Sequence, residues 1–303
     1  MKFFDILAIA SAQLSMHCVV NRTQHFAEIS KSTGEQIRVL QARFPLNSAP
    51  AARSAGDKLI TKALLTESGL AVPEGSAINL KGDWQVAFQS FSRLGEEAVV
   101  KPANGERGAL VFCCWTYGQL AYALSQIAPK HASAMVEEYV EGQEFRVLVL
   151  DSEPLYILER QRLTILADGT STLLELIAAQ GLEVLSSLIV DPRLSRMAGT
   201  PALNKVLPQG VPFVPIYAAN AVNGVTLNVD VSSCPDVARL AVSAVATLGL
   251  RYGGVDLIVE QHSGRVVVLE VNSAPELEGF DAQGQTSINV AVLACCKLLA
   301  ACF

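Results

Sequence analysis

The sequence predicts a mixed fold of the α/β or α+β class, because helical and extended patterns alternate along the chain. Residues 58–70 carry apolar side chains at helical spacing and are followed by Pro73, which favours a helix that stops there. Residues 116–127 and 235–248 are also helical in pattern, and Gly249 ends the second of them. Short apolar runs typical of strands occupy residues 98–100, 135–140, 144–150, 155–166, 254–260 and 265–271.

Length and composition indicate a folded protein of about two domains, or of one large composite domain. The chain has 303 residues, of which 50% are apolar and 17% are charged. Such a composition can bury a sizeable core and excludes a disordered chain. The net charge of −6 comes without a cluster of lysines and arginines, which argues against a binder of duplex nucleic acid. We therefore expect a small ligand, or an anion whose charge is neutralised locally.

The cysteines and the two apolar ends of the sequence predict a cytoplasmic protein. The cysteines number 7 and include no C-x-x-C motif, which favours reduced thiols over a disulfide framework or a zinc site. Asp5 interrupts the first apolar run, which is therefore a poor secretory signal. Residues 287–303 contain Lys297 and fall short of the ~20 residues of a membrane span, so we expect a buried helix there and no membrane contact.

A predicted β-hairpin with the sequence GVDLIVEQHSGRVVVLEVN carries the strongest sign of chemistry. A three-residue loop with Gly264 at a bulge position of positive φ is a common hairpin type. Such a loop pairs Gln261 with Arg265. Counting back along both strands then places Asp256 directly opposite Glu270.

Two carboxylates and a carboxamide would meet on one face of this hairpin. Glu270 and Asn272 share that face because side chains alternate along a strand. Like charges placed this close are unfavourable unless one is protonated or a cation lies between them. Oxygen ligands are those that Mg²⁺ prefers, which predicts a magnesium site formed by Asp256, Glu270 and Asn272. The alternative is that the carboxylates are solvated on an exposed rim.

A second element is a lysine at the end of an apolar run. Lys101 precedes a loop that contains Gly105 and Gly108. An ammonium group and loop N–H groups in this arrangement can bind phosphates. The spacing fits neither the Rossmann fingerprint nor the P-loop. An ordinary surface turn is the alternative interpretation.

Two further elements are weaker signs of function when each is taken alone. The segment 137–146 places several glutamates around an apolar centre, which is also typical of a solvated acidic turn. Asp57 and Lys58 precede the first helical pattern, where a capped helix start is the simplest interpretation.

The order of these elements resembles the ATP-grasp superfamily. The chain runs from Asp57-Lys58 and GLAVPEG to VVKP with its glycine loop, then to VEEYVEGQEFRVLVL, and finally to GGVDLIVE and VVVLEVNSAPELEG. The similarity spans residues 30–285. ADGTSTLLELI and SAPAARSAGDKLITKALL resemble the ATP-grasp modules of cyanophycin synthetase and of bifunctional glutathione synthetases, whereas EVNSAPELEGF is similar to ligases that add glutamate to ribosomal proteins.

The resemblance implies an α+β ATP-grasp fold, with two subdomains that hold ATP between them. Residues 1–57 would form a short lead-in unit, residues 58–134 the small subdomain with the glycine loop, and residues 135–303 the C-terminal subdomain with the metal site. The implied activity is an ATP- and Mg²⁺-dependent carboxylate–amine ligase that works through an acylphosphate on an amino acid or short peptide. Two Mg²⁺ ions, replaceable by Mn²⁺, and a homodimer are implied as well.

The resemblance also implies a role for individual residues. The groups expected at the nucleotide, around its phosphates, ribose and adenine, are Lys58, Lys101, Gly105, Arg107, Gly108, Glu137, Glu138, Val140 and Glu144. The metal ligands are expected to be Asp256, Glu270 and Asn272. Arg160 and Arg162 would be catalytic, near the transferred phosphoryl group and the substrate carboxylate.

Some positions depart from the pattern of these relatives. Ile216 replaces an arginine four residues before Asn220, residues 222–225 replace an S-T-G-G motif, and Glu276 follows Pro275 where a glycine is usual. These departures leave two alternatives open. One is a non-catalytic nucleotide-binding accessory protein, and the other is an ATP-grasp phosphoryl transferase.

Overall fold

The computed structural model describes residues 2–82, 84–105, 109–162, 164–180, 204–214, 224–277 and 285–303. The chain divides into two compact units, each assembled from separate stretches of sequence. The first unit comprises Met1–Val72, Val140–Arg160 and Thr226–Phe303, and the second comprises Pro73–Tyr139 and Gln161–Val225. These units are interleaved along the chain, whereas the predicted division has consecutive segments that end at residues 57 and 134. That consecutive division stays a prediction.

The first unit begins with a helix, a small sheet and a pair of helices. Helix α1 (Phe3–Gln13) is followed by strands β1 (His17–Asn21), β2 (Phe26–Ser30) and β3 (Gln36–Leu40), which pair antiparallel in that order. Helices α2 (Ala49–Ala55) and α3 (Lys58–Glu67) come next. The helix predicted over residues 58–70 is confirmed as α3.

A five-stranded sheet forms the centre of the first unit. Strands β8 (Gly142–Leu150), β9 (Glu153–Arg162), β12 (Gly224–Val229), β13 (Tyr252–Glu260) and β14 (Val266–Asn272) are arranged in the order β12-β9-β8-β13-β14. The pairs β9–β8, β8–β13 and β13–β14 are antiparallel. Residues 155–166, for which a strand pair or one long strand is predicted, are divided between β9 and the short strand β10 (Ile165–Leu166).

Alternation along these strands separates two faces of the sheet. One face packs against helix α7 (Pro235–Thr247) through residues such as Val147, Val255 and Val271. Part of the other face, including Leu148 and Tyr156, packs with α1 and with helix α8 (Gln285–Cys302). The second face continues along β8 from Leu148 to Arg146 and Glu144, where the side chains become charged.

The second unit contains a four-stranded antiparallel sheet with two helices packed on it. Strands β4 (Gly75–Asn79), β5 (Ala98–Pro102), β6 (Phe112–Cys114) and β7 (Ser133–Glu138) lie in the order β4-β7-β5-β6. Helices α4 (Gln85–Arg93) and α5 (Tyr117–Ile127) bury side chains in the same core as this sheet. Helix α6 (Leu173–Ala178) and a two-stranded ribbon of β10 and β11 (Pro212–Phe213) also belong to this unit.

The hairpin of β13 and β14 confirms the predicted pairing of Asp256 with Glu270. The loop differs from the prediction, because Glu260 rather than Gln261 pairs with Arg265 through a hydrogen bond of 2.9 Å from its N–H. A bulge between Asp256 and Leu257 adds one residue to β14 and shifts the register back. Gly264 has the predicted positive φ, of 70°.

These elements confirm the predicted mixed α and β class. Among the residues that the structure describes, no helix has both the length and the apolar character needed to cross a bilayer. The helix predicted near residue 287 is found as α8, which contributes Cys295 and Leu298 to the core.

Asn47 links the N-terminal segment to the middle of the sheet. Its side-chain nitrogen donates hydrogen bonds to the carbonyl oxygens of Tyr252 (2.7 Å) and Ser273 (3.0 Å). Its side-chain oxygen accepts from the backbone N–H groups of Arg251 (2.9 Å) and Tyr252 (3.0 Å). One carboxamide therefore satisfies backbone groups at the start of β13 and just after β14.

We expect Asn47→Ala to lower the free energy of unfolding by about 3 kcal/mol, because partly buried backbone groups lose their partners. Urea unfolding followed by circular dichroism measures this loss. Asn21→Ala is the control, since the Asn21 side chain exchanges its hydrogen bonds with exposed groups of Gln24. An equal loss in both variants would contradict the role assigned to Asn47.

Candidate functional site

A row of charged side chains crosses the second face of the central sheet in the first unit. Arg146 of β8 lies opposite Asp256 of β13, and Asp256 lies opposite Glu270 of β14. Residues directly opposite each other in neighbouring strands point to the same face. The sheet pairing therefore brings Arg146 to Asp256 and Glu270, which lie more than a hundred residues further along the sequence.

Asp256 is held by two arginines. Nε and Nη2 of Arg146 donate to its two carboxylate oxygens at 2.7 and 2.6 Å, and Nη1 of Arg160 lies 3.3 Å from Oδ1. Only 13% of the Asp256 side chain is exposed. Burial alone would raise the pKa of Asp256, but Arg146 and Arg160 outweigh burial and hold it below the usual value of 3.8. The carboxylate is therefore charged at neutral pH.

Glu270 forms an ion pair with Lys58. The distance from Lys58 Nζ to Glu270 Oε1 is 3.2 Å, and the Lys58 side chain is 12% exposed. Lys58 is placed by the start of α3, where Asp57 caps the helix by accepting from the N–H groups of Leu59 and Ile60. Asp57-Lys58 is therefore compatible both with a capped helix start and with the predicted nucleotide-binding lysine.

Asn272 ends β14 opposite Gly254. A Cβ atom at Gly254 would lie 2.6 Å from the Cβ of Pro275, so only glycine allows this close approach. The hydroxyl of Tyr252 donates to the carbonyl oxygen of Pro275 at 3.0 Å. The segment that follows the predicted metal ligands is thereby fixed against β13.

The donor atoms fit a magnesium ion in their chemistry. Glu270 and Asn272 lie two positions apart on one strand and both are partly exposed, while Asp256 lies opposite Glu270. Carboxylate and carboxamide oxygens are hard ligands of the kind that Mg²⁺ prefers. Both oxygens of Asp256 are engaged by arginine in this structure. Within the described part of the chain, no group of three or more His, Cys, Asp or Glu side chains is arranged to hold a metal.

The second unit contains a buried ion pair. Lys101 Nζ lies 2.5 Å from Glu137 Oε2, and the two side chains are 11% and 5% exposed. The pair arises because β5 and β7 are antiparallel neighbours in which Val99 lies opposite Glu137. Lys101, two residues along the strand on the same face, reaches the glutamate diagonally.

The remaining predicted residues are distributed over both units. Val140 packs with Ile258 and Val267 in the first unit, and Glu144 lies opposite Arg160 there. Glu138 ends β7 in the second unit, and Gly105 follows β5 there. The residues outside the described structure are Arg107, Gly108, Ile216, Asn220 and the side chain of Arg162.

Arg146 was not identified from the sequence. It follows Glu144 by two residues, so strand alternation alone places it on the same face as that predicted ribose ligand. Its contact with Asp256 depends on the pairing of β8 with β13. The local pattern of β8 contains no information about that partner.

We expect Arg146→Met to lower the free energy of unfolding by about 3–5 kcal/mol, because it removes the main partner of a buried carboxylate. Chemical unfolding measures the change. The matched control is Arg251→Met, which breaks a similar two-contact pair with Asp151 whose side chains are about half exposed. It should cost about 1 kcal/mol or less. Similar losses in the two variants would contradict the importance of burial at Asp256.

Comparison with known proteins identifies the family. The ATP-grasp domain matches residues 55–276, more than half of the chain. Cyanophycin synthetase from Trichormus variabilis is 29% identical over 240 residues, which are 72% of this chain and 26% of that protein. The glutathione biosynthesis bifunctional protein GshAB of Listeria welshimeri is 25% identical over 250 residues, or 76% of this chain and 32% of that protein. The chain thus spans about a quarter to a third of these curated relatives.

Solved structures share the fold. D-alanine–D-alanine ligase from Bacillus anthracis aligns with a TM-score of 0.57 and 17% identity, covering 84% of this chain and 68% of that chain. The ATP-grasp ligase PsnB with a minimal precursor aligns with a TM-score of 0.51 and 20% identity, covering 84% and 64%. The α+β ATP-grasp fold expected from the sequence is confirmed, and the chain belongs to the ATP-grasp family.

Proposed function

We propose that this protein is an ATP-dependent ligase that joins a carboxylate to an amine on an amino acid or a short peptide. Cyanophycin synthetase and GshAB, which it resembles, favour an amino-acid or peptide substrate. The observation that carries the proposal is the charged row on the central sheet of the first unit. There Asp256 and Glu270 lie opposite each other with Arg146, Arg160 and Lys58 around them.

The proposed reaction needs no nucleophilic side chain. The substrate carboxylate attacks the γ-phosphoryl group of ATP, which gives an acylphosphate and ADP. The amine then attacks the acyl carbon, phosphate leaves, and the amine loses a proton. Phosphoryl transfer of this kind depends mainly on positioning and on charge stabilisation, which are the properties that the charged row offers.

Each predicted residue has a role in this reaction. Lys58 and Lys101 would bind the phosphates, and Asp256, Glu270 and Asn272 would hold Mg²⁺, which neutralises charge on the phosphate oxygens. Arg160 would stabilise the oxyanion formed when the amine attacks. The other assigned residues would bind the nucleotide or close over the reacting groups, and they are Gly105, Arg107, Gly108, Glu137, Glu138, Val140, Glu144 and Arg162.

The cell compartment and the assembly belong to the same proposal. We expect the protein to work in the cytoplasm, because its seven cysteines are free thiols and thiols stay reduced there. A homodimer is expected from the resemblance to relatives.

ADP release from the purified chain tests the reaction class. We expect release that requires ATP, Mg²⁺, a carboxylate and an amine together, measured over a panel of amino acids and dipeptides. Thermal stabilisation by ATP without turnover on any pair would instead indicate an accessory nucleotide-binding protein. A stable phosphorylated product formed without an amine would indicate a phosphoryl transferase.

Glu270→Gln should reduce kcat by about 100-fold or more, because the variant loses a charged metal ligand while its shape is kept. The measurement is the steady-state rate of ADP release at saturating ATP. Glu260→Gln, at the far end of the same hairpin beside Ser263 and Arg265, serves as the control and should keep the wild-type rate. Wild-type activity of Glu270→Gln would refute its assignment.

Lys101→Ala should raise the KM for ATP at least about tenfold, since a buried ammonium that would face the phosphates is lost. Initial rates across ATP concentrations measure this change. Lys81→Ala, an exposed lysine of the same unit, is the matched control. A thermal melt of each variant separates lost binding from unfolding caused by the unpaired Glu137.

A further inference from the structure

The two arginines hold Asp256 unequally. Arg146 makes two hydrogen bonds at 2.7 and 2.6 Å, one to each carboxylate oxygen. Arg160 Nη1 lies 3.3 Å from Oδ1. A fork of two short charged bonds is the strong form of this contact. Arg146 is therefore the fixed partner of Asp256, and Arg160 is the one that can exchange.

Arg160 is also the less stabilised of the two cations. Burial lowers the pKa of Arg160, and although Asp256 opposes this shift, Arg146 adds to it. For Arg146 the attraction of Asp256 outweighs burial, and the pKa is raised. An additional anion close to Arg160 would stabilise this cation, whose side chain is only 13% exposed, because an opposite charge favours a buried charged group.

Among the side chains that the structure describes, the charges of this cluster are balanced. Asp256 and Glu270, together with Glu144 opposite Arg160, supply three negative charges. Arg146, Arg160 and Lys58 supply three positive charges. A divalent cation alone would bring uncompensated charge to these residues and would find Oδ1 of Asp256 shared by two arginines. An anion that binds Arg160 supplies the compensating negative charge and also draws one of the two arginines away from Oδ1.

We propose that Arg160 is an exchangeable blocking group on the metal ligand Asp256, so that an anion must bind Arg160 before a divalent cation binds tightly at Asp256 and Glu270. The anion is a tetrahedral phosphoryl group or a carboxylate of a reactant. The assignment of that anion to a reactant rests on the proposed function. Arg146 keeps its hydrogen bonds to the two oxygens of Asp256 and acts as a positioning residue.

The first experiment measures metal binding without nucleotide or turnover. Mn²⁺, whose free ion is quantified by electron paramagnetic resonance, is titrated into the full chain. We expect weak binding to the wild type, and binding at least about tenfold tighter to Arg160→Gln, since one positive charge beside the ligand is removed. Combining Arg160→Gln with Asp256→Asn should abolish the gain.

Two controls accompany this titration. Arg251→Gln also removes a positive charge from a two-contact pair in the first unit, with Asp151, and should bind Mn²⁺ like the wild type. Arg160→Lys keeps the charge and should not tighten Mn²⁺ binding. Unchanged or weaker Mn²⁺ binding by folded Arg160→Gln would overturn the proposal.

The second experiment tests the effect of an anion on Mn²⁺ binding by the wild-type chain. Sulfate, a tetrahedral dianion that complexes Mn²⁺ only weakly, is added to the wild-type chain, with chloride at equal ionic strength for comparison. We expect sulfate to tighten Mn²⁺ binding severalfold, by the reciprocal coupling of two ligands. Folded Arg160→Gln should show no such effect. Equal Mn²⁺ binding in sulfate and chloride by the wild type would contradict the proposed order.

These results are separable from those on the reaction. A chain that shows the Mn²⁺ effects but releases no ADP with any substrate pair would keep the blocking role of Arg160 and lose the ligase function. A chain that is an active ligase, but whose Mn²⁺ affinity responds to neither Arg160→Gln nor sulfate, would lose the blocking role alone.

Discussion

The pairing of β8 with β13 is the constraint on which the site in the first unit depends. It brings Arg146 opposite Asp256 and leaves one face of both strands apolar and buried against α7. A shift of that register by one residue would turn the charged groups into the core and the valines out to the opposite face. Because such a shift would bury several unpaired charges, the apolar face and the charged row specify the same register.

Much of the fold followed from local patterns. Helices α3, α5 and α7 begin and end near capping, proline or glycine signals that act within a few residues, and these signals are visible in the sequence. The facing of Asp256 and Glu270 was also predicted correctly, but for a partly wrong reason. The loop is one residue longer than assumed, and the bulge beside Leu257 compensates for it. A bulge depends on twist and packing, which short-range spacing does not encode.

The features that local patterns missed are long-range. Arg146, Asn47 and the α1–α8 contact act between segments that are distant in the sequence. The ion pairs of Lys58 and Lys101 also join residues that lie in different elements of the chain. Lys58 and Lys101 were assigned to phosphates, and the structure shows each of them beside a glutamate, Glu270 and Glu137 respectively. A lysine that serves an anionic ligand needs a partner of this kind when its side chain is largely buried, because an unpaired buried charge is costly.

The linkage made by Asn47 has a consequence for how the protein is produced. During synthesis the N-terminal helix and small sheet leave the ribosome early, yet the strand and helix that cover them lie some two hundred residues or more further along the chain. Contacts of such sequence separation form late and slowly. The early segment therefore keeps apolar surface uncovered until those later residues have been synthesised.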